Sequence, residues 1–205
     1  MNRTKPRTQP VIQALVIGGS AGAVSALLQL LPVLPADFPL AVMVVIHLPP
    51  EDNGALAGFL NSQCQMRVKE AEDKEPVVPG VVCLAPAGYH LLVEPDFHLS
   101  LSQDDPVLFS RPSIDVLFES AADAYGSSLA AVILTGASAD GAQGLHAVHR
   151  AGGRTFVQEP STAAAPIMPQ AALDACPDAQ SLPLSQLAGV LSSLARAAEP
   201  HVPNS

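Results

Sequence analysis

Ser20, His47 and Asp140 are the residue types from which an ester-cleaving site can be built. A serine hydroxyl is a weak nucleophile until a base takes its proton. An imidazole can do so near neutral pH, and a carboxylate orients the ring and stabilises its charged form. Ser20 lies in Gly18-Gly19-Ser20-Ala21-Gly22, which fits G-x-S-x-G, a pattern that lifts a hydroxyl onto a sharp strand-to-helix bend. Taken alone, the motif fits a plain strand–helix connection equally well. A dinucleotide-binding fingerprint is excluded, because neither Gly18 nor Gly19 has a glycine two residues on.

Each of the three residues has a simpler job open to it. Ser20 can be a small turn residue, His47 can cap a strand end, and Asp140 can be the N-cap of the helix that follows it. What favours a site is their shared position, since each comes after an apolar, β-branched run that reads as a buried strand. In an open parallel sheet, ligands bind at the carboxyl ends of the strands. His90, after Pro86-Ala87-Gly88-Tyr89, is the second candidate base. His146 and His149 fall on a helix, and His98 and His201 carry no signal. No pair of histidines has H-E-x-x-H spacing, and no metal or cofactor is expected. Cys64, Cys83 and Cys176 are odd in number, far apart and without C-x-x-C, as for free thiols in a reducing compartment.

The elements that must position these residues follow from periodicity. Ala14–Gly18 and Leu40–His47 read as strands, with a helix over 22–31 between them, because Val24, Leu27, Leu28 and Leu31 form one apolar face. Strand, helix and buried strand make a βαβ unit, so the two strands are expected to be parallel. A helix over Glu51–Gln63, strands at Met66–Glu70 and Val81–Ala85, and a hairpin from Tyr89–Val93 and Phe97–Leu101 come next. Arg111-Pro112-Ser113 opens a helix reaching Tyr125, with Ser113 near its cap. Leu129–Thr135 is a further buried strand, followed by a helix from Ala142 to Ala151 that Gly152-Gly153 stops. A strand at Thr155–Gln158, a short helix at Pro169–Cys176 and an amphipathic helix at Leu184–Ala198 complete the chain. The expected fold is α/β: a doubly wound, mostly parallel sheet with an attached antiparallel hairpin. The expected domain spans 11–199, with flexible tails at 1–10 and 200–205.

Composition narrows the partners. Beyond Arg3, Lys5 and Arg7, seven basic residues face nineteen acidic ones, and an acidic body argues against nucleic acid. The stretch from Thr8 to Ala36 has no charged residue. Gly18-Gly19-Ser20-Ala21-Gly22 interrupts it and Pro32 and Pro35 close it, so it reads as neither signal peptide nor membrane anchor. A cytoplasmic location is expected. The order Ser, His, Asp also differs from the Ser, Asp/Glu, His order of α/β-hydrolases.

Seven segments taken together carry a resemblance. They are Ile17-Gly18-Gly19-Ser20-Ala21-Gly22, Ile46-His47-Leu48-Pro49-Pro50, Val68-Lys69-Glu70-Ala71-Glu72-Asp73, Leu84-Ala85-Pro86, Arg111-Pro112-Ser113-Ile114-Asp115-Val116-Leu117-Phe118, Thr135-Gly136 through Asp140-Gly141-Ala142, and Ala151-Gly152-Gly153-Arg154-Thr155. In this order, across residues 12–195, the chain resembles the catalytic domain of CheB protein-glutamate methylesterases. The resemblance implies hydrolysis of glutamate γ-methyl esters on chemoreceptor helices, and deamidation of receptor glutamines. It implies Ser20 as nucleophile, His47 as base and Asp140 as the residue orienting it. Backbone N–H groups around Gly19, Ala21, Gly22 and Ala137 are the expected oxyanion and substrate contacts. The chain departs from the family at Ala21-Gly22-Ala23, where Thr-Gly-Gly is usual, and at Ala137-Ser138-Ala139, where Met-Gly-Asn or similar precedes the aspartate. Glu159-Pro160 and Ile167-Met168-Pro169 stand where Asp-Glu and Gly-Met-Pro are usual. The family's receiver domain does not precede this one here, so a separate regulator acting in trans is expected. The competing expectation is a binding or adaptor module that keeps the fold without turnover.

Overall fold

The computed structural model describes residues 10–47 and 54–198, with side chains through Leu194. The expected tails and the expected helix start at Glu51 lie largely or wholly outside the described residues.

A central strand, β1 (Ala14–Gly19), pairs in parallel with β2 (Ala41–Ile46) on one side and β7 (Leu129–Ile133) on the other. All six residues of β1 and of β2 are buried. Strand side chains alternate between faces, so a strand covered on both sides must be apolar at every position. Leu15 and Ile17 enter one core, while Ala14 and Val16 enter the other. β2 divides in the same way, with Val42, Val44 and Ile46 against Ala41, Met43 and Val45. Outward from β2 come β4 (Val81–Leu84) and β3 (Arg67–Glu70); outward from β7 come β8 (Arg154–Gln158) and β9 (Gln180–Leu182). The seven strands run in the order β3-β4-β2-β1-β7-β8-β9, and every pairing is parallel.

Helices cover both faces. α1 (Ala23–Leu30), α2 (Ala55–Gln63) and α6 (Leu184–Ala198) contribute Leu27, Leu30, Leu60, Leu187 and Leu191 to the first core. α3 (Ile114–Tyr125), α4 (Ala142–Arg150) and α5 (Ile167–Ala175) contribute Ile114, Phe118, Leu145, Val148 and Met168 to the second. The chain winds to one side of β1 and then to the other, so the strand order reverses between β1 and β7. Such a switch point leaves a crevice at the carboxyl ends of the two strands.

The expected antiparallel hairpin is present, β5 (His90–Val93) with β6 (Leu99–Ser102), as a two-stranded sheet of its own packed on α3. Other elements differ from expectation. α5 begins at Ile167, so Pro169 lies inside its first turn, where a missing N–H costs nothing because the first four have no helical acceptor. β7 stops at Ile133 because Thr135 N–H leaves the ladder for the Gln158 Oε1 acceptor at 2.9 Å. The edge strand β9 is largely exposed, and its Gln-Ser-Leu sequence carries no apolar run to announce it.

Candidate active site

β1 and β2 end together, with Gly19 paired to Ile46. Ser20 and His47 are the next residues on each, so they hold adjacent places at the sheet edge, on strands that run about 4.8 Å apart. Backbone bonds fix these positions. His47 N–H donates to Gly19 C=O at 3.2 Å, and Ser20 N–H donates to Thr135 C=O at 2.9 Å. Only glycine lets the chain turn so sharply into α1. A Cβ at Gly19 would stand 2.6 Å from the Ala23 Cβ; Gly22, at φ +82°, would set one 2.8 Å from the Ala164 Cβ. The Thr135 hydroxyl donates to Ala21 C=O at 2.9 Å and accepts from Ala165 N–H at 2.8 Å, tying the serine turn to the loop before α5.

Asp140 reaches this edge from a loop, seven residues past the end of β7 rather than directly after it. Its carboxylate is fully buried and fully bonded. Oδ2 accepts from His47 Nε2 at 2.8 Å and Ile114 N–H at 2.7 Å; Oδ1 accepts from the Ser113 hydroxyl at 2.8 Å and Asp115 N–H at 3.0 Å. Asp140 therefore occupies the N-terminus of α3, where free N–H groups and the helix dipole favour a negative charge. Of the two jobs open to Asp140, the bond to His47 is made and the cap on the following helix is not: α4 starts at a left-handed Gly141, and the amides Asp140 accepts open the helix before it. Burial pushes the carboxyl up. The His47 bond, the Ile114 and Asp115 amides and the Ser113 hydroxyl more than offset this, and hold it below the ordinary carboxylate range.

His47 is partly exposed, and its Nε2 is taken by Asp140, which leaves Nδ1 as the nitrogen able to accept a proton. The Ser110 hydroxyl lies 3.4 Å from that Nδ1. The Ser20 hydroxyl has no hydrogen bond among the described residues, so serine and imidazole are neighbours that are not yet joined. The Ala21 and Gly22 N–H groups, at the start of α1, likewise make no backbone hydrogen bond among the described residues. Ala137 is exposed in the Asp140 loop.

His90 is brought near but not into the site. It is buried, its Nδ1 accepts from Ser113 N–H at 3.1 Å, and its Nε2 faces Asp105 C=O at 3.2 Å. With both ring nitrogens on backbone, it holds the loop ahead of α3. A cavity of about 510 Å³ opens at the opposite edge between Ile12, Pro39, Pro79 and Tyr125, away from these groups. No cluster among the described residues could hold a metal ion.

Ser113 was legible only as a helix cap, and Asp115, Thr135, Gln158 and Ser110 were not legible as site residues. Ser113 and Asp115 stand within the Arg111-Pro112-Ser113-Ile114-Asp115 segment, which is the one signal that could have found them. Ser110 has none.

A family model described as CheB methylesterase matches residues 15–191. A relative from Leptospira interrogans is 45% identical over 163 residues, covering 80% of this chain and 84% of its own. Others from Symbiobacterium thermophilum (38% over 178 residues) and Archaeoglobus fulgidus (40% over 173) are covered over 49% of their length, against 87% and 83% of this chain. The names of all three include protein-glutamate methylesterase/protein-glutamine glutaminase. The crystal structure of the Thermotoga maritima CheB methylesterase catalytic domain superimposes with a TM-score of 0.85 at 34% identity, covering 89% of this chain and 98% of that one.

Proposed function

Since the chain belongs to the CheB methylesterase family, we propose that it hydrolyses glutamate γ-methyl esters on the cytoplasmic helices of chemoreceptors, with Ser20 as nucleophile, His47 as general base and Asp140 as the residue that orients it. The observation that carries this reading is the 2.8 Å bond from His47 Nε2 to buried Asp140, made one register step beyond the Gly19–Ile46 pair and hence beside Ser20.

The chemistry follows from the proton inventory. With Nε2–H donated to the carboxylate, Nδ1 is unprotonated and takes the Ser20 proton as Oγ attacks the ester carbonyl carbon. The carbonyl π electrons move to oxygen, and the oxyanion is received by the Ala21 and Gly22 N–H groups at the start of α1. Collapse breaks the C–O bond to the methoxy group, which leaves as methanol with the imidazolium proton. Water, deprotonated by the same nitrogen, then attacks the acyl-serine, releasing the glutamate carboxylate and restoring Ser20. On a receptor glutamine the same steps release ammonia. Asp140 stays ionised throughout, held so by its four donors.

Among the described residues no helix is long and apolar enough to cross a membrane. We place the protein in the cytoplasm, where the methylated helices are, under a separate regulator. The test is methanol release from a methylated chemoreceptor cytoplasmic fragment. Wild type is expected to turn over, Ser20→Ala to lose roughly four to six orders of magnitude, and Ser110→Ala to retain most activity. A wild-type chain that binds the fragment yet releases no more methanol than Ser20→Ala is a binding module instead.

A further inference from the structure

The loop that brings Ser110 to His47 also sends two large apolar side chains outward. Val107 and Ser110 close a two-residue turn through reciprocal backbone bonds, Val107 N–H to Ser110 C=O at 3.1 Å and Ser110 N–H to Val107 C=O at 2.8 Å. At its tip Leu108 (φ +47°) and Phe109 (φ +65°) are both in the left-handed region. Two such residues in succession suit Asn-Gly, whereas larger side chains are held there at a conformational cost. Neither side chain recovers that cost by burial: Phe109 is fully exposed and Leu108 is half exposed. Strained backbone of this kind concentrates at functional sites.

The turn is anchored at its base. Buried His90 joins Asp105 C=O to Ser113 N–H, and Arg111 Nη1 donates to the Gln103 and Asp104 carbonyls at 2.9 and 3.1 Å. A fixed apolar tip loses little freedom when it binds. Its place is set by Ser110, which is the next residue in the chain and lies 3.4 Å from the proton-accepting nitrogen of His47.

Resting on the methylesterase reading, the substrate is a helix whose glutamyl ester must reach Ser20. Residues three or four positions away on the same helix face lie about 5–6 Å from the esterified one, and the turn stands beside the site through Ser110, 3.4 Å from His47. We propose that the Leu108–Phe109 turn is a docking element for the substrate helix, the Phe109 ring seating on an apolar side chain one helical turn from the esterified glutamate. Specificity then comes from outside the reacting atoms: an ester flanked by an apolar i±3 or i±4 neighbour is preferred over one flanked by charge, and over a small free ester.

The deciding variant replaces the tip with Asn-Gly, Leu108→Asn with Phe109→Gly, which suits the turn and removes both side chains. Its thermal midpoint is expected to rise while its KM for a methylated chemoreceptor cytoplasmic fragment rises about tenfold, with the loss in KM rather than kcat. The ratio of kcat/KM on that fragment to kcat/KM on p-nitrophenyl acetate should fall about tenfold, and Phe109→Ala should lower it in the same direction. In a Ser20→Ala background, the dissociation constant for the same fragment should weaken about tenfold, a readout that needs no turnover. An unchanged KM and dissociation constant, or a loss confined to kcat, overturns the docking role. If wild type releases no methanol, the methylesterase reading falls, and the binding arm alone still decides the proposal: a tenfold weakening supports it, and an unchanged constant or no binding overturns it.

Discussion

Asp115 and Asp140 cap each other's helices. Asp140, in the loop ahead of α4, accepts the Ile114 and Asp115 amides that open α3. Asp115, in the first turn of α3, accepts the Gly141 and Gly144 amides at 2.9 and 2.7 Å, at the start of α4. The carboxylate that touches His47 is thus held by a helix whose second residue holds that carboxylate's own loop. The two acids sit in unlike surroundings. Asp140 has four donors and stays low, whereas Asp115 is pushed up to about 6, first by burial and then by the nearby Asp140 and Glu119 charges, against the two glycine amides.

The pH dependence of stability should show this difference. A folded carboxyl that binds its proton more tightly than the unfolded chain stabilises the fold below the ordinary carboxylate value and loses that contribution as pH rises through about 6. Asp140 has the opposite sign, its contribution being present above the ordinary value and lost as pH falls through its depressed one. Asp115→Asn keeps an acceptor for Gly141 and Gly144 but cannot titrate. It should gain stability relative to wild type at pH 7–8 and lose that gain by pH 4, the change being about 3 kcal/mol at most. Urea unfolding across pH 4–8 measures it, and a difference independent of pH would exclude the account.

Substitutions at Asp140 should separate orientation from capping. Asp140→Asn is expected to lower turnover by roughly four orders of magnitude, because the imidazole is left in the wrong tautomer. Asp140→Ala removes the acceptor for four donors and should cost a further 2–4 kcal/mol or so of stability. Adding Ser20→Ala to Asp140→Asn should change turnover little beyond Ser20→Ala alone. Methanol release and thermal unfolding on the same preparations test all three.

The two histidines near Asp140 should part company. His47→Ala should abolish turnover with a modest loss of stability. His90→Ala unpins two backbone groups and should cost about 1–3 kcal/mol, while keeping turnover within about tenfold of wild type. The reverse pattern in the methanol assay would make His90 the base.

Gly18 offers a test from inside the core. A Cβ there would overlap the Ile114 Cγ2 at the first residue of α3, the residue whose amide Asp140 accepts. Gly18→Ala should destabilise by about 1–3 kcal/mol and lower turnover by displacing that amide. Ile114→Ala vacates the space, so the double variant should be more stable than the sum of the single effects predicts, a coupling that a double-mutant cycle reads directly.

How far the molecule could be read from its sequence depends on how local each signal is. β1 and β2 are apolar at every position because both faces are covered, and their βαβ connection gives the parallel register that sets Ser20 next to His47. That much is carried by short runs of residues. β9 is not, since Gln180-Ser181-Leu182 is an exposed edge strand with no pattern of its own. The bond from Asp140 to His47 was foreseen, but its capping role was not, because the local rule looks to the helix just after it, whereas the helix donors it accepts lie 25 to 27 positions earlier. Ser110 meets His47 across 63 positions, and no periodicity encodes such a contact.

The place of β1 in the middle of the sheet also sets an order of events during synthesis. Its first neighbour, β2, begins at Ala41, whereas the second, β7, begins only at Leu129. At roughly 5–20 residues per second, the apolar edge that β7 will cover stays unpaired for about four to eighteen seconds after β2 is made. During that interval the nascent chain is a strand template open to any other chain. A version ending at Ser128 makes the interval permanent. It should collect in aggregates or on chaperones, while the full chain, once β7 has closed the switch point, stays in solution.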